Sequence, residues 1–113
     1  MCARPFQDEI PPGTLAMLIL TTLARGKDRH GFEIAEAIEQ ASADVLRVEE
    51  GSLYPALQRL LVKGWVAGEW GRTDENRRAR YYRLTAAGRR QLDREVEAYQ
   101  RVAGAIAHVL QIA

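Results

Sequence analysis

Cysteine is almost absent from this 113-residue chain, where Cys2 stands alone near the N-terminus. A single thiol cannot close an internal disulfide, so the fold must rest on its core, as suits a reducing compartment. Histidine is nearly as scarce. His30 and His108 lie far apart, and neither joins Cys, Asp or Glu at metal-ligand spacing, so no metal centre is expected. There is no phosphate-cradling glycine loop and no nucleophile motif, so neither an enzyme nor a cofactor is expected. Long apolar runs are missing too, because charge interrupts every apolar stretch well short of the roughly 20 residues that span a bilayer. The opening MCARPFQDEIPPG carries Arg4, Asp8 and Glu9 and lacks an apolar signal-peptide core. A cytoplasmic chain with no membrane partner is the expectation.

What is present fits one compact core, with 47% hydrophobic and 27% charged residues. The net charge of +1 conceals a segregation. Residues 30 to 50 hold six acids against one base, Arg47, whereas residues 71 to 90 hold seven arginines against Asp74 and Glu75. Such a gradient gives different parts of the surface different partners.

Periodicity divides the chain into a flexible lead, residues 1–12, and five elements. Thr14 is placed to cap a first helix with Leu15, Leu18, Ile19, Thr22 and Leu23 on one face. RGKDRHG breaks it, with His30 read as a helix-start residue. A second amphipathic helix follows, with Ile34, Ala35, Ile38 and Ala41 as its apolar stripe and Glu33, Glu36 and Glu39 turned outward. In VEEGSLYPALQRLLVKGW the third helix is expected to start at Ser52 as N-cap. Leu53, Leu57, Leu60 and Leu61 would face the core, Pro55 would lie in the first turn, and Gly64 would end the helix. Glu49 and Glu50 then precede the positive end of the helix dipole, with the arginines further along as partners.

The period then changes to two. WVAGEW and RYYRL, joined by the polar GRTDENRRA, predict a two-stranded hairpin with Trp65 and Trp70 in its packing. Thr85 is placed to cap a last helix whose Leu92, Val96, Tyr99, Ala103, Ile106 and Leu110 step by fours and threes, the seam of a helix packed lengthwise on another. This order describes a mainly α chain with a small β-hairpin: a winged helix-turn-helix over residues 13–84 and a C-terminal dimerisation helix over residues 85–113.

On such a frame the third helix offers Ser52, Tyr54, Gln58 and Arg59 to a ligand. Gln pairs with adenine and Arg with guanine, while hydroxyls suit phosphate oxygens. Arg72, Arg77, Arg78 and Arg80 fall within nine residues at the hairpin tip, where guanidinium groups neutralise phosphates. An ordinary solvated helix face and charge run is the plainer account of the same residues. A winged-helix module binding protein without direct DNA contact is the alternative function. Single-stranded RNA binding would require more exposed aromatics than Tyr81 and Tyr82 offer.

GTLAMLILTTLA, HGFEIAEAIEQ, VEEGSLYPALQRLLVKGWV and ENRRARYYRLTAAGRRQL together resemble the PadR family of transcriptional regulators from Gly13 to about Leu110, in its compact branch with a single C-terminal helix. One departure is Phe32, where the family often has Tyr. The resemblance implies a homodimer, usually a repressor, on a near-palindromic double-stranded DNA operator, with the third helix in the major groove. Family members answer to phenolic acids or other hydrophobic compounds, so the resemblance also implies a small hydrophobic or phenolic effector. It assigns that effector no residues.

Overall fold

The computed structural model describes residues 8–111. The order is β1 (Asp8–Glu9), α1 (Leu15–Ala24), β2 (Arg29–His30), α2 (Gly31–Ala41), β3 (Leu46–Arg47), α3 (Glu50–Val62), β4 (Val66–Arg72), β5 (Arg78–Leu84) and α4 (Ala86–Leu110). The sequence-expected helices and hairpin are all present. Residues 1–7 of the lead lie outside the described residues, but Asp8–Glu9 is a short parallel strand on Leu46–Arg47.

Helix α1 runs through the centre, touching α2, α3, β5 and α4. Its buried residues are Met17, Ile19, Leu20 and Leu23. Of the expected face, Ile19 and Leu23 are buried and Leu15 and Leu18 pack partly buried against the core, but Met17 and Leu20, outside that face, are buried as well. LAMLILTTLA has apolar residues nearly all round, so its periodicity leaves the buried face undetermined. Thr14 occupies the N-cap position, yet its hydroxyl donates to the Pro11 carbonyl (2.8 Å) instead of accepting a helix N–H.

Helix α2 opens as expected at His30, which with Glu33 forms a capping box. Ile34 and Ile38 fill the core. Glu39 is not simply outward, because its carboxylate accepts the Val48 N–H (2.9 Å) and so ties α2 to the chain entering α3. Ala43 and Asp44 turn the chain there with φ of 52° and 64°, left-handed values rare outside glycine. Ser42 Oγ steadies that turn, donating to the Glu39 carbonyl and accepting the Leu46 N–H.

Helix α3 begins earlier than Ser52. Glu49 is the N-cap residue, and its carbonyl accepts the Ser52 and Leu53 N–H groups. Pro55 therefore falls in the second turn, leaving the Gly51 carbonyl without its usual helical donor. The Glu49 carboxylate pairs with Arg47 at 2.8 Å, a neighbour on its own entry strand and not one of the hairpin arginines. Glu50 sits in the first turn, where the helix dipole favours a negative charge.

The hairpin pairs β4 with β5 from Val66↔Leu84 to Arg72↔Arg78, and β2 adds a third strand through Arg29↔Tyr82 and His30↔Tyr81. A two-residue strand has no periodicity to read, so β2 was not expected. Thr85 caps α4 as anticipated, its hydroxyl oxygen accepting the Gly88 N–H at 3.0 Å. The 25 residues of α4 make a rod about 37 Å long. Its first turns pack on α1 through Leu92 and Val96, and from Ala98 to Leu110 no residue of the helix is buried.

Candidate nucleic-acid interface

Leu53, Ala56, Leu57 and Leu60 anchor α3 in the core. That anchoring turns Ser52, Tyr54, Pro55, Gln58, Arg59 and Val62 outward. Helical spacing puts Tyr54 and Gln58 in one line and Ser52, Pro55 and Arg59 in another. Tyr54 is held by packing, since its ring lies so close to Gly31 that a Cβ there would be 2.7 Å from Cε1. The Ser52 line borders a cleft of about 390 Å³ shared with Arg47, Glu49 and residues 9–13.

The wing is β4, β5 and the Thr73–Arg77 turn. Thr73 and Arg77 close the turn by Thr73 N–H to Arg77 carbonyl (2.8 Å) and Arg77 N–H to Thr73 Oγ1 (3.1 Å). Asn76 takes the left-handed conformation that this reversal needs, with φ of 63°. Arg77 stands exposed at the tip with Asp74 and Glu75. Arg72 spends one N–H on the Asn76 carbonyl (3.1 Å). On the other face the Tyr81 hydroxyl donates to the Arg72 carbonyl at 3.1 Å.

Strand register gathers Arg72, Arg78 and Arg80 on one face together with Trp70, through the pairs Arg72↔Arg78 and Trp70↔Arg80. Trp70 was expected in the hairpin packing. It is 56% exposed, because the helices cover this sheet face only as far as Val66 and Tyr82. Trp65, by contrast, is partly buried against the core. Burial pushes the Tyr82 phenol up, and the nearby Arg80 guanidinium pulls it the other way.

The seam of α4 divides. Leu92 belongs to the chain's own core at 6% exposure, and Val96 packs against that core. Tyr99, Ile106 and Leu110 are exposed, Ala103 is half-buried, and Val102 and Val109 extend the same apolar strip. Counting strictly by fours and threes from Leu92 passes over those two valines. Trp70 was equally legible in principle, since period two places it on the face of Arg72.

Among the described residues no helix is long and apolar enough to cross a membrane, and no group of three or more His, Cys, Asp or Glu could hold a metal ion.

Three helices closed by a hairpin, with a basic wing beside an outward polar helix, define a winged helix-turn-helix protein of the DNA-binding type. The chain belongs to the PadR-like family of transcriptional regulators, whose family model matches residues 19–94. A transcriptional regulator from Clostridium thermocellum is 27% identical, with a TM-score of 0.76 over 85% of this chain and 92% of that one. A PadR family regulator from Eggerthella lenta is 30% identical, with a TM-score of 0.72 over 89% of this chain and 85% of that one. A Lysinibacillus sphaericus protein is 29% identical over 85% of this chain and 87% of its own length. A 37.1 kDa protein of a Streptomyces fradiae transposon is 42% identical over 80% of this chain, which spans only 24% of that protein.

Proposed function

We propose that the chain acts as a cytoplasmic homodimeric repressor on a near-palindromic operator, with residues 13–84 as its DNA-binding unit and residues 85–113 as its dimerisation helix. The observation that carries this reading is the wing face of Arg72, Arg78 and Arg80, with Arg77 at the tip, next in the chain to a helix whose Ser52, Tyr54, Gln58 and Arg59 stand free of the core. The division of labour is electrostatic grip by the wing and base reading by α3. Ser52 and Tyr54 suit phosphate oxygens, whereas Gln58 and Arg59 suit base edges. Tyr99, Ala103, Ile106 and Leu110 meet a second copy, while Leu92 and Val96 seat the helix on its own domain. A small hydrophobic or phenolic effector belongs to the same reading, with no residues assigned to it.

The wing is tested by salt. Arg77→Ala with Arg78→Ala should weaken binding to any duplex and lower the slope of log affinity against log salt by roughly 2, about 1 per lost phosphate contact. A titration series at several salt concentrations reads this directly, and an unchanged slope removes the wing from the interface. A protein-binding module would show no such slope.

Base reading is tested by selection. Sequencing chromosomal fragments bound in the cell should reveal the operator. Replacing Gln58 or Arg59 with Ala should then relax preference at one position per half-site, at a cost of about 1–3 kcal/mol of discrimination. Equal weakening on all sites would assign the residue to the backbone.

A further inference from the structure

Trp70 lies on the wing face with its indole uncovered by any helix. The Arg78 guanidinium carbon is 4.4 Å from the ring centroid and that of Arg80 is 5.8 Å away. Arg80 reaches this position across Gly68, where a Cβ would come within 2.6 Å of its Nε. That Nε is buried without a hydrogen-bond partner, so the side chain is fixed by the slot and the ring and not by an acceptor. Three guanidinium groups share the face, and Arg72 and Arg78 are directly opposed across the strands, an unfavourable pairing of like charges. Arginine side chains also have much rotamer freedom to lose when they settle on a phosphate. A ring that holds them extended beforehand reduces that loss on binding.

We infer that Trp70 is a positioning residue for DNA binding: its indole is a platform that holds Arg78 and Arg80 in place for the phosphate backbone. The inference rests on the DNA-binding reading above, and it assigns Trp70 no contact with DNA. Removing the ring leaves every charge in place, so affinity falls while the number of neutralised phosphates, and hence the salt slope, stays the same.

The test uses the full-length protein and a mixed-sequence 30-base-pair duplex, because wing contacts are independent of sequence. Trp70→Ala should weaken binding about three- to tenfold at unchanged salt slope, and Trp70→Phe, which keeps a ring, should restore most of the loss. With Arg78→Ala and Arg80→Ala already present, Trp70→Ala should cost nothing more. A similar cost in that background, or no loss in the single variant, overturns the proposal. In the free protein, the Hε resonances of Arg78 and Arg80 should be shifted upfield by the indole and lose that shift in Trp70→Ala. Shifted resonances in a wild type that binds no duplex would overturn the DNA reading and the role it gives Trp70. Unshifted resonances in a wild type that binds normally would overturn the platform alone.

Discussion

Ile106→Asp should leave a protein that light scattering reports as monomeric at tens of micromolar, where the wild type should run as the proposed dimer, and that no longer holds an operator. The reason lies in the distal half of α4. Tyr99, Val102, Ile106, Val109 and Leu110 are each at least half exposed, so in the single chain a continuous apolar strip faces solvent. Isolated exposed apolar residues are ordinary, but a strip of this kind on one helix marks an interaction surface. Helical spacing unites the strip and makes it resemble half of a lengthwise helix pair. A carboxylate placed there would be buried without a partner on dimerisation, a penalty of several kcal/mol. Paired half-sites lie about 34–36 Å apart, one turn of DNA, and one winged helix of this size reaches a single half-site. Losing the partner thus removes the gain from two linked contacts, roughly 10²–10⁴ in affinity, although every DNA-facing side chain is intact. If folding and assembly are coupled, the variant unfolds instead, and circular dichroism separates the two outcomes. His108→Asp, an exposed position on the opposite side of the same helix, should remain dimeric. A monomeric wild type, or an Ile106→Asp protein that dimerises and binds normally, would sink the proposal.

The sequence was most legible where one local signal had one physical meaning. Ile34 and Ile38 stand one helical turn apart between acids, and they are core. Thr85 is a favoured cap type directly before two alanines, and it caps. Legibility failed where the deciding partner is distant in the chain. The start of α3 was missed for a local reason instead: Ser52 is a favoured cap type, but the Glu49 carbonyl captured two N–H groups first, while the Glu49 side chain was turned to Arg47. Strand β2 exists only because β5 offers it an edge. On the wing, composition identified the arginines but not their order in space. Register was needed to put Arg78 and Arg80 over Trp70, and helix packing was needed to show that the sheet face is uncovered there. In α4 a single apolar series serves two purposes, since Leu92 goes to the chain's own core while Ile106 remains outside, and the sequence carries no mark of where the helix leaves its domain.

Gly88→Ala should unfold the protein or cost it roughly 3 kcal/mol or more, at the upper end of overpacking penalties. Helix propensity argues the other way, because Ala in a helix is normally about 1 kcal/mol better than Gly. Tertiary packing decides the sign. Gly88 is buried in the first turn of α4, where an added Cβ would collide with the Trp65 carbonyl oxygen and come within 2.8 Å of both the Trp65 carbonyl carbon and Leu84 Cδ1. Leu84 can turn aside, but the Trp65 backbone cannot. The Trp65 carbonyl accepts the Thr85 N–H at 3.2 Å, and the Trp65 N–H donates to the Leu60 carbonyl at 3.0 Å, so both sides of the residue are tied. Thr85 is fixed in turn, its hydroxyl donating to the Gly64 carbonyl at 2.7 Å while accepting the Gly88 N–H. Relief would require α4 to lift, drawing Leu92 and Val96 out of the core they share with α1. Gly104 provides the contrast, since a Cβ there meets nothing within 4 Å in the single chain. Gly104→Ala should therefore follow propensity and stabilise by up to about 1 kcal/mol. Urea unfolding of both variants beside wild type reads the two signs, and a Gly88→Ala protein as stable as wild type would show that the junction of hairpin and helix yields where its hydrogen bonds say it is fixed.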